Sequence, residues 1–137
     1  MKITIGIDPG RINGYAEAIN GKIVYVSSFK TWELFVRIST LYVNQLYDIT
    51  VYIEDPTTWK PFFKGKDQSH KLKGAGSVTA RFKAIIEYLE DNNIKIVRVP
   101  IQGTAKKVNA EMFMKLTGYA ERTNEHGRDA AMLILQR

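Results

Sequence analysis

Residues 2–29 have the sequence KITIGIDPGRINGYAEAINGKIVYVSSF, and this stretch decides the fold prediction. Residues 2–7 are rich in β-branched side chains and stop at Asp8-Pro9-Gly10, as a strand before a turn does. Residues 14–19 and 22–29 have the same strand character. Asn20-Gly21 separates them and is the strongest short hairpin signal, because both positions of a type I′ turn need positive φ. The sequence therefore predicts three opening strands in an antiparallel meander.

The pattern changes to helical spacing after the meander. Residues 31–47 form one predicted helix, whose apolar face carries Phe35, Ile38, Tyr42 and Leu46. Residues 49–54 alternate between apolar and polar side chains and predict a fourth strand. Residues 55–76 show no consistent periodicity and hold many turn-forming and basic residues, so they are predicted to be one long loop.

The remaining elements are two helices and a strand, followed by a last helix. Residues 77–91 predict an amphipathic helix, with room for an extra turn or two at its start; its apolar positions are Val78, Phe82, Ile85, Ile86 and Leu89. Residues 95–101 predict the fifth strand. Thr104 is the expected N-cap of a helix that runs to about Leu116 and is closed by Gly118. The last predicted helix covers residues 124–136.

The element order βββαβαβα, with the helix of residues 124–136 as a further element after it, predicts an α/β protein. An antiparallel meander followed by α-linked strands gives a mixed five-stranded sheet flanked by helices, and the ribonuclease H fold is the leading candidate. No repeat, low-complexity tract or linker divides the chain. Residues 1–137 are therefore expected to form a single domain, which suits their number.

Composition excludes several function classes. An apolar share of 45% and a charged share of 25% are ordinary for a folded domain, so disorder is not expected. The absence of cysteine excludes disulfides, thiolate metal sites and cysteine nucleophiles. The N-terminal apolar run is too short for a signal peptide, and no stretch approaches a membrane span. A cytoplasmic protein without a membrane partner is therefore expected.

Four polar side chains lie where such a fold would gather ligands. Asp8 ends the first strand and Glu54 ends the fourth, so the two approach each other if those strands are neighbours. His126 and Asp129 are three residues apart and share one face of the last helix. Asp55 is a competing ligand, but strand alternation points it away from Glu54's face, so Glu54 is preferred.

This set of ligands is typical of a divalent metal site. Carboxylates from separate elements suit Mg²⁺ or Mn²⁺. Two such ions, about 4 Å apart, can activate a water and stabilise the leaving oxygen of a phosphodiester. Without metal, three clustered carboxylates would repel one another and raise their pKa values.

Each residue also has an ordinary interpretation. Asp8 before Pro-Gly can be a turn residue, and Glu54 can be a solvated charge at the end of a strand. His126 can cap its helix, and Asp129 can be a surface acid. These alternatives are each reasonable singly, but their coincidence in this order and on these elements is the weaker account.

Three motifs resemble those of RuvC-type Holliday junction resolvases, in the RNase H-like nuclease superfamily. Gly6-Ile7-Asp8-Pro9-Gly10 followed by Gly14-Tyr15-Ala16 is similar to the opening of that family. Ile53-Glu54 resembles its second acidic motif. His126-Gly127-Arg128-Asp129-Ala130-Ala131 resembles its closing motif, in which Asp or His precedes Asp-Ala by three residues. The order and approximate spacing run over almost the whole chain.

The resemblance implies a Mg²⁺-dependent endodeoxyribonuclease with two ions per site, for which Mn²⁺ can substitute. Asp8, Glu54, His126 and Asp129 would be its catalytic metal ligands. It would resolve four-way or branched DNA junctions as a homodimer that makes paired symmetric nicks. The chain is shorter than cellular members, which favours a phage or mobile-element origin. His126 replaces the commoner Asp, which lowers the negative charge of the site.

The basic and aromatic residues predict a DNA-binding surface. The net charge is +6, and residues 59–83 carry seven Lys or Arg against one Asp. Basic side chains neutralise phosphates, and aromatic rings in a loop can stack on unpaired bases. Burial of the aromatics against the core is the ordinary alternative. The candidates are Trp59, Lys60, Phe62, Phe63, Lys64, Lys66, Lys71, Lys73 and Arg81.

Lys106 and Lys107 add a second basic site. Both follow Thr104 in the predicted first turn of a helix, where the macrodipole disfavours cations. A bound phosphate would offset that cost, whereas chance placement on a basic protein is the alternative. RuvC relatives carry an important lysine in a similar Gly-Ser/Thr-Ala-x-Lys setting, which implies a catalytic and DNA-binding role for Lys107.

Three other functions compete with the resolvase. The first is an RNase H-like nuclease acting on RNA or an RNA–DNA hybrid, and the basic-aromatic loop favours branched DNA over it. The second is an actin-like phosphotransferase, for which the chain is too short. The third is a junction-binding protein without activity, which would not need all four ligands.

Overall fold

The computed structural model describes residues 1–44, 46–58, 68–101, 107–135 and 137, with side chains for all of these except 68–75. Its strands are β1 (Lys2–Asp8), β2 (Asn13–Ile19), β3 (Lys22–Phe29), β4 (Asp48–Asp55) and β5 (Lys95–Pro100). Its helices are α1 (Thr31–Val43), α2 (Gln68–Asp91), α3 (Ala110–Thr117) and α4 (Glu125–Ile134), with a 3₁₀ turn at Pro56–Thr58.

The five strands form one mixed sheet in the order β3-β2-β1-β4-β5. β1 pairs antiparallel with β2, and β2 with β3, whereas β1–β4 and β4–β5 are parallel. The predicted meander, the mixed five-stranded sheet and the RNase H-like fold are therefore confirmed. Asn20 and Gly21 have φ values of 50° and 82°, so the tight turn between β2 and β3 has the positive φ angles that the sequence predicted.

The two faces of the sheet are covered by different kinds of side chain. On one face, large aliphatic residues of β1 and β4 pack against large apolar residues of α1 and α2. The strands contribute Ile3, Ile5, Ile7, Val51 and Ile53, and the helices contribute Leu34, Ile38, Phe82, Ile85 and Leu89. On the other face, small residues allow α4 to approach closely; they include Ala16, Ala18, Ala130 and Ala131, with Val26, Phe113 and Ile134. Side chains alternate along β1, so Ile5 faces α1 and α2 whereas Gly6 lies on the opposite face, under α4.

Glycines at two strand positions let α4 touch the backbone of the sheet. A Cβ on Gly6 would lie 2.2 Å from the Ala130 carbonyl oxygen, and one on Gly14 would lie 1.9 Å from that of His126. Both distances are far below van der Waals contact with groups that belong to the helix backbone. These glycines therefore fix how close α4, and the side chains it carries, can come to β1 and β2.

The predicted face of α1 is wrong in part. The buried positions are Leu34 and Ile38, whereas Tyr42 is 40% exposed and Leu46 is 71% exposed. The helix ends at Val43, so Leu46 lies beyond it and its spacing no longer selects a face. Phe35 does pack inward, with its ring stacked 4.3 Å from that of Tyr88 on α2.

The predicted long loop is also shorter than expected. Residues 56–58 form a 3₁₀ turn, and α2 begins at Gln68, so residues 68–76 of the predicted loop are helical. Residues 59–67 lie outside the described part of the chain. Gly76 lies inside α2; a helical glycine costs about 1 kcal/mol relative to alanine, which the packing of Phe82, Ile85, Ile86 and Leu89 offsets.

The start of α3 differs from the prediction. Thr104 lies outside the described residues, but residues 107–109 are not helical and α3 begins at Ala110. Asn109 is the N-cap, and its side chain accepts a hydrogen bond from the Met112 amide at 2.8 Å. Asn is a stronger cap than Thr, which accounts for the later start. Gly118 closes the helix with a φ of 73°, as predicted.

Among the described residues, no helix is long and apolar enough to cross a membrane.

Candidate functional site

A cleft of about 440 Å³ lies at the edge of the sheet where β1 and β4 end. Because the two strands are parallel with Ile7 beside Ile53, Asp8 at the end of β1 lies next to Glu54 of β4. α4 adds Asp129 to the same cleft. The full lining is Asp8, Glu54, Val99, Pro100, Lys107, Val108, Asp129, Met132, Leu133 and Arg137.

Glu54 and Asp55 have opposite surroundings. Glu54 is half-buried and lines the cleft, whereas Asp55 is 7% exposed and points to the other side of β4. The Asp55 carboxylate accepts hydrogen bonds from the Thr57 amide at 2.9 Å and the Thr57 hydroxyl at 2.6 Å. Asp55 therefore holds the turn that follows β4, and only Glu54 is placed in the cleft.

The three cleft carboxylates hold their protons more tightly than free carboxylic acids do. Burial, then the charges of Glu54 and Asp129, raise the pKa of Asp8 to about 7, against a weaker lowering by Lys107. Burial and the charge of Asp129 raise the pKa of Glu54. Burial also raises the pKa of Asp129, in spite of the nearby Lys107. The cleft thus concentrates negative charge that is poorly compensated at neutral pH.

This donor set fits a hard divalent cation. Carboxylate oxygens are the ligands such ions prefer, and a cation would offset the repulsion among Asp8, Glu54 and Asp129. Within the described ranges, no three His, Asp or Glu side chains already stand close enough together to hold an ion. The carboxylates therefore meet the chemical requirement of a metal site and would have to turn toward a shared ion.

His126 lies one turn before Asp129 on α4, but its side chain is exposed and does not line the cleft. Its charge lowers the pKa of Asp129, so it lies within electrostatic range of the site. The interpretation of His126 as a helix cap is wrong: the cap is Asn124, whose side chain accepts from the Gly127 amide at 2.7 Å.

Lys107 lies at the rim of the cleft but not in a helix. It precedes α3 by three residues, so the predicted conflict with a helix N-terminus does not exist. Its ammonium group donates a hydrogen bond to the Glu125 carboxylate on α4. That bond, then the charge of Asp129, raises the pKa of Lys107, and Asp8 adds to the effect. Lys107 is therefore a cation at the cleft within electrostatic range of Asp8 and Asp129.

Part of the cleft was not predicted from the sequence. Met132 and Leu133 follow Asp129 by three and four residues, so helical periodicity alone places them on its face of α4. With Val99, Pro100 and Val108 they form an apolar wall. Arg137 also lines the cleft, and its guanidinium lies 5.3 Å from the centre of the Tyr52 ring. No local signal in the sequence indicated this contact.

The predicted DNA-binding surface lies largely outside the described residues. These undescribed members are Trp59, Lys60, Phe62, Phe63, Lys64, Lys66 and Lys106. Lys71 and Lys73 belong to the first turns of α2, and Arg81 is a half-buried residue farther along that helix.

Comparison with solved structures shows a shared fold. T. thermophilus RuvC in complex with a Holliday junction substrate matches with a TM-score of 0.54 and 19% identity, over 97% of this chain and 90% of that one. Fowlpox virus resolvase in complex with substrate Holliday junction DNA matches with a TM-score of 0.54 and 12% identity, over 96% and 95%. No family model and no curated protein matches the sequence.

Proposed function

We propose that the chain is a single-domain, structure-selective endonuclease that resolves four-way or branched DNA junctions by divalent-metal-dependent hydrolysis. The observation that carries the proposal is the convergence of Asp8, Glu54, Asp129 and Lys107 on one cleft of an RNase H-like fold. Two solved structures that share this fold, those of RuvC and fowlpox virus resolvase, are complexes with Holliday junctions. The motifs at Asp8, Glu54 and Asp129 support the same activity.

Asp8, Glu54 and Asp129 would hold Mg²⁺, two ions per site, with Mn²⁺ able to substitute. His126 is the fourth candidate ligand, because it lies one turn before Asp129. When bound, such ions supply an activated water and stabilise the leaving oxygen of the phosphodiester. The chain's own contribution is to hold three carboxylates on separate rigid elements, β1, β4 and α4.

Lys107 would contact the phosphate that is cut. Lys107 lines the same cleft as the three carboxylates, and its exposed side chain is accessible to a backbone phosphate. A cation there stabilises the negative charge that increases on the phosphoryl oxygens during cleavage. The apolar wall of Val99, Pro100 and Met132 would face the neighbouring sugar and keep bulk water away from it.

Affinity for DNA would come from the basic surface rather than from the cleft. The net charge of +6 is matched by the excess charge of residues 59–83, so the polyanion should bind on that side. Trp59, Phe62 and Phe63 are the proposed base-stacking residues there. Lys60, Lys64, Lys66, Lys71, Lys73, Arg81 and Lys106 are the proposed phosphate contacts.

The experiment that tests this function compares labelled substrates. A four-way junction, a linear duplex of the same sequence and an RNA–DNA hybrid are each incubated with Mg²⁺, with Mn²⁺ and with EDTA. We expect metal-dependent cutting of the junction alone. Cutting of the hybrid instead would favour an RNA-directed nuclease, and tight binding without cutting would favour a non-catalytic junction protein.

A further inference from the structure

Arg128, next to Asp129 on α4, is the side chain that ties the Lys107 segment to the rest of the site. Its Nε donates to the Val108 carbonyl at 2.9 Å. Its terminal nitrogen Nη1 donates to the Thr123 carbonyl at 3.0 Å and to the Thr123 hydroxyl at 3.1 Å. One planar guanidinium thereby bridges the residue after Lys107 and the segment that leads into α4.

The ion pair that joins the Lys107 side chain to α4 is a weaker restraint than the Arg128 bond to Val108. The Lys107–Glu125 pair lies at the surface, with the two side chains 70% and 53% exposed. Exposed ion pairs contribute little, because solvent and salt screen them and two flexible side chains must be ordered. The Glu125 carboxylate therefore selects a rotamer of Lys107 but does not fix the backbone from which the lysine extends.

In residues 107–109, the half-buried Val108 side chain packs against the cluster that includes Phe113 and Ile134. The three residues form no helix or strand, and their far end is held where Asn109 caps α3. The Arg128–Val108 bond acts at the middle of this short segment, one residue from Lys107. Side-chain packing of Val108 and the Asn109 cap restrain the segment as well, but the Arg128 bond is the one that ties the Val108 carbonyl to α4, next to Asp129.

We propose that Arg128 is a positioning residue for the nuclease reaction: it places Lys107 opposite the carboxylates without touching DNA itself. The expected effect of Arg128 on the cleavage rate rests on the proposed function. The anchoring geometry stands independently of that function. Lysine at position 128 would keep the charge but has no planar fork, so it cannot bridge Val108 and Thr123 together.

Arg128→Lys is therefore the decisive variant. Under single-turnover conditions at saturating junction, we expect its cleavage rate to fall by about 10- to 100-fold, since a misplacement of a catalytic group by about 1 Å can cost about 100-fold. The dissociation constant for the junction should stay unchanged. Arg98→Lys is the matched control: Arg98 lies over the Phe82 ring at 5.7 Å, on the α2 side of the sheet, and its replacement should leave the rate unchanged.

A double variant separates positioning from a direct or purely structural role. If Arg128 acts through Lys107, then Arg128→Lys should slow the Lys107→Ala protein no further. A wild-type rate for Arg128→Lys, or slowing that multiplies with that of Lys107→Ala, would overturn the proposal.

Backbone ¹⁵N relaxation tests the anchoring without any activity. We expect the order parameters of Lys107, Val108 and Asn109 to fall from about 0.85, typical of rigid backbone, toward 0.6 in Arg128→Lys. Unchanged values would refute the positioning role, even if Lys107→Ala cuts too slowly to measure. If the wild-type protein cuts no junction, the nuclease proposal fails, while the relaxation result still decides whether Arg128 orders the segment.

Discussion

Glu54 and Asp55 are neighbouring carboxylates whose side chains lie on opposite sides of β4, which makes them a matched pair for mutagenesis. We expect Asp8→Asn, Glu54→Gln and Asp129→Asn each to lower junction cleavage by at least about 100-fold, because each removes a proposed metal ligand. The dissociation constant for the junction should change by less than about threefold, because affinity is assigned to the basic surface. Single-turnover cleavage and gel-shift titrations measure the two quantities.

Asp55→Asn serves as the control for these three variants. Asparagine keeps an oxygen that can accept from the Thr57 amide, so the turn after β4 should persist and the cleavage rate should stay near that of wild type. Near-wild-type cutting by Asp8→Asn, Glu54→Gln or Asp129→Asn would remove that residue from the ligand set.

The raised pKa of Asp8 predicts how metal-free stability depends on pH. Since this pKa is about 7 in the folded protein against 3.8 for the free group, the folded state holds the proton more tightly. The stabilisation that the protonated Asp8 contributes to the folded state is fully present below pH 3.8 and is lost as the pH rises through 7. In EDTA, Asp8→Asn should therefore melt higher than wild type at pH 8, by about 4 °C for each kcal/mol recovered.

Calorimetry at pH 5 and pH 8 tests this trend. The advantage of Asp8→Asn over wild type should be smaller at pH 5, where the folded wild-type protein keeps the proton. Adding Mg²⁺ at pH 8 should stabilise wild type more than the variant. An advantage that is equal at both pH values would show that the Asp8 carboxylate is not the cause.

His126 is the proposed ligand with the least burial. Aspartate in its place can also coordinate a divalent ion, so His126→Asp should keep substantial cleavage while shifting the Mg²⁺ and Mn²⁺ response curves. Cleavage measured across a titration of each metal reports the shift. Wild-type metal curves for His126→Ala would exclude the histidine from coordination.

These residues show which parts of the site the sequence can predict. Strand alternation is local, so it correctly separated Glu54 from Asp55. The surroundings of Lys107 depend on Glu125, 18 residues later, and on competition between two capping residues, which a local pattern does not decide. The sequence therefore placed Lys107 in the first turn of a helix, whereas the residue lies three positions before α3.

At the scale of elements, α4 carries Asp129 and lies directly on the sheet at Gly6 and Gly14. Alanine at either position would place a methyl group against a helix carbonyl, at 2.2 Å from Ala130 or 1.9 Å from His126. We expect Gly6→Ala and Gly14→Ala each to destabilise the protein by about 2 kcal/mol, as overpacking typically does, and to slow cleavage by displacing Asp129. Urea denaturation and cleavage by the folded fraction measure both effects.

Gly76→Ala is the matched control, since a Cβ there meets nothing within 4 Å. In a helix interior this change should be neutral or stabilise by up to about 1 kcal/mol. Equal stability losses at all three glycines would show that the closeness of α4 is not responsible.

Element types were more predictable from the sequence than element ends. Five strands and the helices between them followed from β-branched runs and apolar spacing, which are strong local signals. The start of α2 was not predicted, because glycines and lysines at 71–76 resemble a loop in composition although the chain is helical there. The inward face of α1 depended on the sheet beneath it, which selects Leu34 and Ile38 over Tyr42.

At the scale of the whole molecule, the described residues bring Asp8, Glu54 and Asp129 together in a single cleft, so the proposed paired nicks would need two chains. We propose a homodimer, whose two-fold symmetry would match the approximate symmetry of a four-way junction. α2 presents Ala80 and Ala84 on one exposed face, four residues apart, where two backbones can approach closely. Ala80→Arg should therefore shift the protein toward monomer and uncouple the two nicks.

Sedimentation with and without junction measures the stoichiometry, and a cruciform plasmid reports whether the nicks are paired. Ala120→Arg, which adds the same charge at an exposed position after α3, should remain dimeric. A wild-type monomer on the junction, or products that are singly nicked under excess enzyme, would favour a simpler structure-selective nuclease.

The position of α4 also affects whether secondary structure or activity returns first when the chain refolds. The helix rests on β1, β2, β3 and β4 at once, and β1 reaches its parallel partner β4 only across a sequence separation of 46 residues. Such long-range pairing is slow, because the chain loses the entropy of closing a long loop before the stabilising contacts form. A chain that has formed the sheet but not yet docked the helix would lack Asp129 in place. Refolding chains should therefore regain native-like circular dichroism before they regain the ability to cut DNA.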